Sequence, residues 1–161
     1  MKMPKLCIAT KLSLSVIICL LAGLLGNIAT NSALGTWYPT LSKPFFTPPN
    51  WLFGPVWTTL YVLMGISLFF VWREGIDKNS KFAIKLFALQ LALNIMWSFV
   101  FFGLESPLGG FIVILALWAA VFLTALKFHK LSKPAGWLMA PYIVWITIAA
   151  ILNLSIFLLN P

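Results

Sequence analysis

Five apolar runs, each about as long as a bilayer is thick, dominate this sequence of 161 residues. A membrane-spanning helix needs about 20 consecutive, mostly apolar residues. The sequence supplies such runs at 12–33, 52–72, 82–102, 108–128 and 137–159. Along them apolar and polar residues do not alternate as they do in the strands of a membrane β-barrel. We therefore predict an all-α integral membrane protein, a five-transmembrane-helix bundle that forms a single membrane domain over residues 1–161.

The composition excludes a water-soluble domain and disfavours nucleic acid as a partner. Only 9% of the residues are charged and 61% are hydrophobic, whereas soluble proteins carry about 25% charged residues. The net charge of +8 is spread over short loops instead of gathering on one helix or arm, as nucleic-acid binding would require. The first apolar run is longer than the core of an ordinary signal peptide, so we expect an uncleaved membrane helix there.

The basic residues are divided unevenly between the two ends of the predicted bundle. With five spans, the N-terminus, the second loop and the fourth loop share one end. That end holds ten of the eleven basic residues, namely Lys2, Lys5, Lys11, Arg73, Lys78, Lys81, Lys85, Lys127, Lys130 and Lys133. Lys43 alone lies at the other end. Loops rich in Lys and Arg stay in the cytoplasm, so we expect a cytoplasmic N-terminus, with the first loop and the C-terminus outside.

The first loop, residues 34–51, is dense in prolines and aromatic residues. Its prolines are Pro39, Pro44, Pro48 and Pro49, and its aromatic residues are Trp37, Tyr38, Phe45, Phe46 and Trp51. Each proline fixes φ and lacks a backbone donor, so the segment forms neither a long helix nor a central strand. The second span then opens with Trp57 and Tyr61, one turn apart. Such a loop is suited to form the lid of an apolar pocket.

Polar, small and aromatic residues recur one helical turn apart within four of the spans. These stripes are Asn27 and Asn31; Trp57, Tyr61 and Gly65; Gln90, Asn94 and Ser98; and Trp145, Ala149 and Asn153. Polar groups are costly against lipid, so we expect the stripes to line the interior or a cavity. Together they suit a flat apolar ligand. Alternatively, Asn27, Asn31 and Gln90 only form hydrogen bonds that hold neighbouring helices together. We assign Trp51 and Trp137 to the interfacial aromatic belt.

Residues typical of catalytic or metal centres are scarce. The acidic residues all lie in predicted loops, at Glu74, Asp77 and Glu105. His129 stands between Lys127 and Lys130, which favours a solvated side chain over a metal or haem ligand. The two cysteines, Cys7 and Cys19, indicate neither a disulfide framework nor a metal site. With no catalytic constellation and no acidic residue inside a span, hydrolysis, ion-coupled transport and an intrinsic cofactor are disfavoured.

Three motifs, in order along the chain, resemble the translocator protein (TspO/MBR) family, also known as the peripheral-type benzodiazepine receptor family. The first, from Trp37 to Tyr61, reads W-Y-x-x-L-x-K-P-x-x-x-P-P-x-W-x-F-G-P-V-W-x-x-L-Y. The second motif consists of Leu-Asn-Ile-Met-Trp at 93–97 and Phe-Phe-Gly at 101–103. The third is Pro141-Tyr142 with Trp145, Ala149, Leu152 and Asn153. The match covers nearly the whole chain after Gly35, and the lack of an Arg-rich presequence favours a bacterial member.

The resemblance implies a homodimer of five-helix subunits in the lipid bilayer, with a pocket beneath the first loop. Members of the family bind tetrapyrroles such as protoporphyrin IX and haem, sterols in some cases, and synthetic benzodiazepine-site drugs. Carried to matching positions, the ligand-binding residues are Tyr38, Pro48, Trp57, Tyr61, Asn94, Trp97, Trp145, Ala149 and Leu152. The animal members' sterol motif needs a tyrosine followed by a basic residue, but Leu154 replaces that tyrosine and nothing basic follows Leu152. A tetrapyrrole is therefore favoured over a sterol.

Several functions remain open at this point. The leading hypothesis is a non-enzymatic receptor or carrier, with porphyrin or haem as its ligand. The second is a light- and oxygen-dependent porphyrin-degrading enzyme, because Trp57 and Trp145 match the tryptophans implicated in that reaction in some bacterial members. A sterol or porphyrin transporter and a purely structural interaction protein are further alternatives.

The predicted orientation can be tested by cysteine labelling after Cys7 and Cys19 have been replaced. A cysteine introduced at Thr40 should react with a membrane-impermeant thiol reagent added outside intact cells. One introduced at Asn79 should not react, because it lies in a loop on the cytoplasmic side. The reverse labelling pattern would contradict the orientation.

Overall fold

The computed structural model describes residues 7–73, 75 and 77–161; Lys2, Lys5 and Glu74, named above, lie outside the described residues. Its helices are α1 (Ile8–Leu34), α2 (Asn50–Arg73), α3 (Lys78–Ser98), α4 (Pro107–Leu131), α5 (Lys133–Leu138) and α6 (Ala140–Leu159). With α5 and α6 taken together, five segments are long and apolar enough to cross a membrane. Each contains one predicted span, and no strand occurs among the described residues. The predicted all-α, five-span fold is confirmed.

The helices form a closed ring around a shared core. α1 packs on α2 and α3, α3 packs on α4, α4 packs on α5 and α6, and α2 packs on α5. Side chains that meet in the centre include Met64, Phe87, Phe128, Tyr142 and Ile146, all fully buried. Large apolar side chains also cover much of the outer surface. Lipid tails solvate such a surface, so it is expected of a bundle in a bilayer.

Side-chain caps determine where α3 and α4 begin. The Asp77 carboxylate accepts a hydrogen bond from the backbone N–H of Ser80, and the Ser80 hydroxyl accepts one from the N–H of Asp77. The bond from the Ser80 backbone N–H to the carboxylate is the main cause that holds the pKa of Asp77 below its usual range. Ser106 caps α4 through the N–H of Gly109, at 3.1 Å, and Pro107 occupies the first turn. Proline is tolerated there because its missing N–H has no partner within the helix.

Two membrane-length segments depart from regular α-helix. α3 continues as a π-helical turn, Phe99–Gly103, and this wider turn leaves both Phe101 and Phe102 buried. The fifth segment is interrupted at Met139, between α5 and α6, a break that the prediction of one span at 137–159 did not include. Pro141 accounts for the interruption, because it has no N–H to donate to the carbonyl four residues before it.

The loop between α1 and α2 is held in place by contacts at three points. Tyr38 is buried against Phe101 and Phe102, and this burial raises the pKa of Tyr38 to about 12. The Lys43 ammonium donates to the carbonyls of Tyr38 at 2.7 Å and Leu41 at 3.0 Å. The amide of Asn160 pairs with the backbone N–H and carbonyl of Ser42, both at 2.9 Å. The loop is therefore tied to α3 and to the C-terminus.

Close contact between α1 and α2 depends on Gly65. A Cβ atom at this position would lie 2.5 Å from the Cα of Val16. Small residues allow membrane helices to approach in this way. We expect Gly65→Ala to lower the free energy of unfolding by about 1–3 kcal/mol because of overpacking, measured as a fall in melting temperature.

Gly54, in the same helix, supplies a matched control, because a Cβ atom there would meet nothing within 4 Å. Gly54→Ala should leave the melting temperature unchanged or slightly raised, since alanine favours helix over glycine by about 1 kcal/mol. Equal destabilisation by the two substitutions would contradict the close approach at Gly65.

Candidate ligand-binding site

A cavity of about 450 Å³ lies between α1, α2 and α3. We call it the α1–α2–α3 cavity. Its lining includes Leu34 and Asn50, the residues at which α1 ends and α2 begins, so it lies at the end of the bundle that carries the first loop. Ligand pockets typically have volumes of about 300–1,000 Å³, and the volume of this cavity falls within that range.

One side of the cavity is an aromatic wall, formed by Trp57, Tyr61 and Trp97. The Trp57 ring stacks on Tyr61 with ring centroids 5.7 Å apart and lies 6.3 Å from Trp97. Trp97 in turn stacks on Phe101 at 5.6 Å. Each ring is thus supported by another ring, which favours a wall with a fixed orientation.

Hydrogen bonds behind the wall fix two of its three rings. The Tyr61 hydroxyl donates to Oδ1 of Asn94 at 2.5 Å, and Nδ2 of Asn94 donates to the hydroxyl of Tyr142 at 2.8 Å. Nε1 of Trp97 donates to Oδ1 of Asn153 at 3.1 Å. All of these side chains are buried. Since unpaired polar groups are costly in such surroundings, the bonds link α2, α3 and α6 in one arrangement.

Glycines shape the two faces on either side of the cavity. A Cβ atom on Gly23 of α1 would lie 2.3 Å from Cε2 of Tyr61, so the edge of the Tyr61 ring rests directly on the α1 backbone. Gly54 of α2 lines the cavity, and a Cβ atom there would meet nothing within 4 Å. The first atom of a side chain at Gly54 would therefore occupy open space at the cavity without displacing a neighbour.

Of the nine predicted ligand-binding residues, Trp57, Tyr61 and Trp97 lie at the α1–α2–α3 cavity. Asn94 lies behind the wall, where its amide bonds to two tyrosines. Tyr38 belongs to the loop and does not line the cavity; its hydroxyl is buried and has no hydrogen-bond partner among the described residues. The structure therefore brings the predicted residues of α2 and α3 together at this site.

The other predicted residues lie elsewhere. Pro48 is half-buried in the loop. Trp145, Ala149 and Leu152, all on α6, do not line the α1–α2–α3 cavity. Trp145 packs against Phe53 with ring centroids 6.1 Å apart, and its Nε1 is buried with no partner among the described residues. A ligand-binding role for these four residues stays a prediction from the family resemblance.

The α1 side of the cavity was not among the predicted ligand residues. Asn27, Thr30 and Asn31 all line it. The spacing of the two asparagines had indicated a common face, which left contacts between helices and a cavity as alternatives. Both asparagine side chains are exposed and have no hydrogen-bond partner among the described residues. Within the described part of the chain, these side chains therefore do not bond one helix to another.

Comparison with known proteins places these features in a family. Residues 15–159 match the model of the TspO/MBR family. The chain is 47% identical over 150 residues to a protein named "Tryptophan-rich protein TspO" from Archaeoglobus fulgidus, covering 93% of this chain and 97% of that protein. It is 44% identical over 151 residues to a protein of the same name from Chlorobaculum tepidum, covering 93% and 96%. It is 35% identical over 119 residues to the human "Translocator protein", covering 73% and 70%.

The role of Asn94 behind the aromatic wall can be tested by stability measurements. Asn94→Leu leaves the buried hydroxyls of Tyr61 and Tyr142 without this partner. An unsatisfied buried polar group costs about 1–3 kcal/mol, so we expect a clear fall in melting temperature.

Gln90, one turn earlier on α3, is the matched control for this substitution. It is also fully buried, but its Oε1 has no partner among the described residues, and its Nε2 donates only to the sulfur of Met64, at 3.7 Å. Gln90→Met should leave the melting temperature unchanged or raise it. A similar loss of stability in both variants would show that Asn94 has no special role.

Proposed function

The chain belongs to the TspO/MBR family, and from that premise we propose that it is a membrane receptor or carrier for tetrapyrroles and related flat apolar molecules. The ligand, protoporphyrin IX or haem, binds in the α1–α2–α3 cavity. The observation that carries the proposal is the aromatic wall, on which Trp57 is flanked by Tyr61 and Trp97. A flat conjugated ring stacks on such a surface, and water is excluded from the face in contact.

The chemistry of the cavity lining supports binding. Aromatic, aliphatic, amide and hydroxyl side chains line the cavity, and no acidic, basic or histidine side chain is among the lining residues described. Such a surface offers stacking and hydrogen bonds but no group suited to general acid–base catalysis. The family relatives include a "Tryptophan-rich sensory protein" from Cereibacter sphaeroides, and a receptor or carrier role is in keeping with that name and with "Translocator protein".

The positions of the tryptophans favour binding over light-dependent degradation. Trp57 lines the cavity, whereas Trp145 does not; it packs behind Phe53, which is itself a lining residue. A photo-oxidation in which both tryptophans take part beside the same ligand would need the two side chains at one site. The cavity as it stands offers Trp57 alone of that pair.

The membrane arrangement completes the proposal. The protein is an integral, multi-pass membrane protein, with five membrane-length segments among the described residues. We place its N-terminus in the cytoplasm because of the distribution of basic residues. We further propose a homodimer through α3, where the exposed Ala88 and Ala92 form a small-xxx-small pair that permits close packing of helices.

A porphyrin titration of the detergent-purified protein tests the function. Protoporphyrin IX should quench tryptophan fluorescence saturably. Gly54→Leu should weaken binding by about tenfold or more, a change of roughly 1.4 kcal/mol, because the new side chain fills the cavity. The melting temperature should not fall.

Gly35→Leu is the control for this titration, because a Cβ atom at Gly35 also meets nothing within 4 Å and the residue does not line the cavity. This variant should bind like the unmodified protein. Quenching that never saturates would overturn the proposed function, and equal affinity in both variants would place the ligand outside the cavity.

A further inference from the structure

Two amide side chains on α1 lie within the first predicted span and have no hydrogen-bond partner in the described part of the chain. Asn27 and Asn31 are both exposed, and both line the α1–α2–α3 cavity. An amide transferred from water to an apolar medium without a partner costs several kcal/mol. Polar residues inside a span are accordingly rare and tend to serve a function.

Four of the eight other hydrogen-bonding side chains that line the cavity already have partners among the described residues. The Thr30 hydroxyl donates to the carbonyl of Gly26 at 3.2 Å, and the Thr58 hydroxyl donates to the carbonyl of Gly54 at 2.9 Å. The Tyr61 hydroxyl and the Trp97 indole N–H are bonded behind the aromatic wall. The two amides on α1 therefore differ from these groups, because their hydrogen-bonding capacity is free for a ligand.

The two amides also lie close enough together to act on one molecule. Residues four apart share a helix face and are separated by about 6 Å along the axis. That face belongs to α1, whereas Trp57, Tyr61 and Trp97 belong to α2 and α3. The cavity thus combines an aromatic wall with a polar edge supplied by a different helix.

We propose that Asn27 and Asn31 determine ligand specificity by hydrogen-bonding substituents on the rim of a flat ring that lies against the aromatic wall. The inference rests on the proposed function and adds a chemical preference to it. An amide both donates and accepts hydrogen bonds, and no cationic side chain is among the described residues that line the cavity. The favoured ligand is therefore a conjugated macrocycle with uncharged carbonyl-bearing rim groups, such as esters, ketones or protonated carboxyls.

Two uncharged porphyrins that differ at the rim test this preference. Protoporphyrin IX dimethyl ester carries carbonyl groups, whereas octaethylporphyrin carries only alkyl groups. The double variant Asn27→Leu, Asn31→Leu keeps side chains of similar size and removes both amides. A hydrogen bond contributes about 0.5–1.5 kcal/mol, so the variant should bind the ester about tenfold more weakly. Its affinity for octaethylporphyrin should be unchanged or higher.

Ser32→Ala is the matched control, because it removes a hydroxyl on α1 that is already bonded to the carbonyl of Ala29, at 2.8 Å, and Ser32 does not line the cavity. It should change the affinity for either porphyrin by less than about twofold. The melting temperature of each variant is measured in parallel, and the single variants Asn27→Leu and Asn31→Leu provide the same comparison if the double variant is poorly folded.

The outcomes of these titrations distinguish a failure of the proposed role of Asn27 and Asn31 from a failure of the proposed function. An equal loss of affinity for both porphyrins would overturn the inference, since the amides would then shape the cavity without contacting the rim. An unchanged affinity for the ester would overturn it as well. If the unmodified protein binds protoporphyrin IX but neither of these two porphyrins, the inference alone is overturned. If it binds none of the three, the proposed function fails and the inference with it.

Discussion

The hydrogen bonds of the Asn94 amide join the three helices on which the aromatic wall depends. The amide accepts from Tyr61 on α2 and donates to Tyr142 on α6, while Asn94 itself belongs to α3. In a membrane, hydrophobic burial does not hold helices together, so buried polar contacts and close packing carry more of that role. Trp57 lies against both tyrosines, at 5.7 Å from Tyr61 and 6.1 Å from Tyr142. The amide therefore holds two of the rings against which Trp57 packs.

The loop and the π-helical turn stabilise the same region from the outer end. Tyr38 packs on Phe101 and Phe102, which the wider turn places side by side, with centroids 4.8 Å apart. Phe102 lines the α1–α2–α3 cavity, so the contact with Tyr38 links the loop directly to the site. The Lys43 ammonium donates hydrogen bonds to the loop carbonyls of Tyr38 and Leu41. The loop is thus held in one conformation by contacts with α3, but none of residues 35–49 lines the cavity, so a role as its lid stays a prediction.

The sequence was sufficient to predict the membrane spans and the buried polar face of α3. It was not sufficient to predict which helices enclose the cavity. Apolar length determines a span, and the four-residue spacing of Gln90, Asn94 and Ser98 predicts a shared face, on which all three are buried. Spacing along one helix says nothing about which helices are neighbours. For that reason α6 was grouped with the site through Trp145, while Asn27 on α1 was left as one of two alternatives.

The central claim is that the tetrapyrrole lies between α1 and the aromatic wall. It is tested most directly by crystallising the protein with zinc protoporphyrin and locating the zinc from its anomalous scattering. The account predicts a zinc peak inside the α1–α2–α3 cavity, next to Trp57 and facing Asn27. A peak beside Trp145 and Ala149 on α6, away from Asn27, would contradict it and would assign the site to the α6 residues instead.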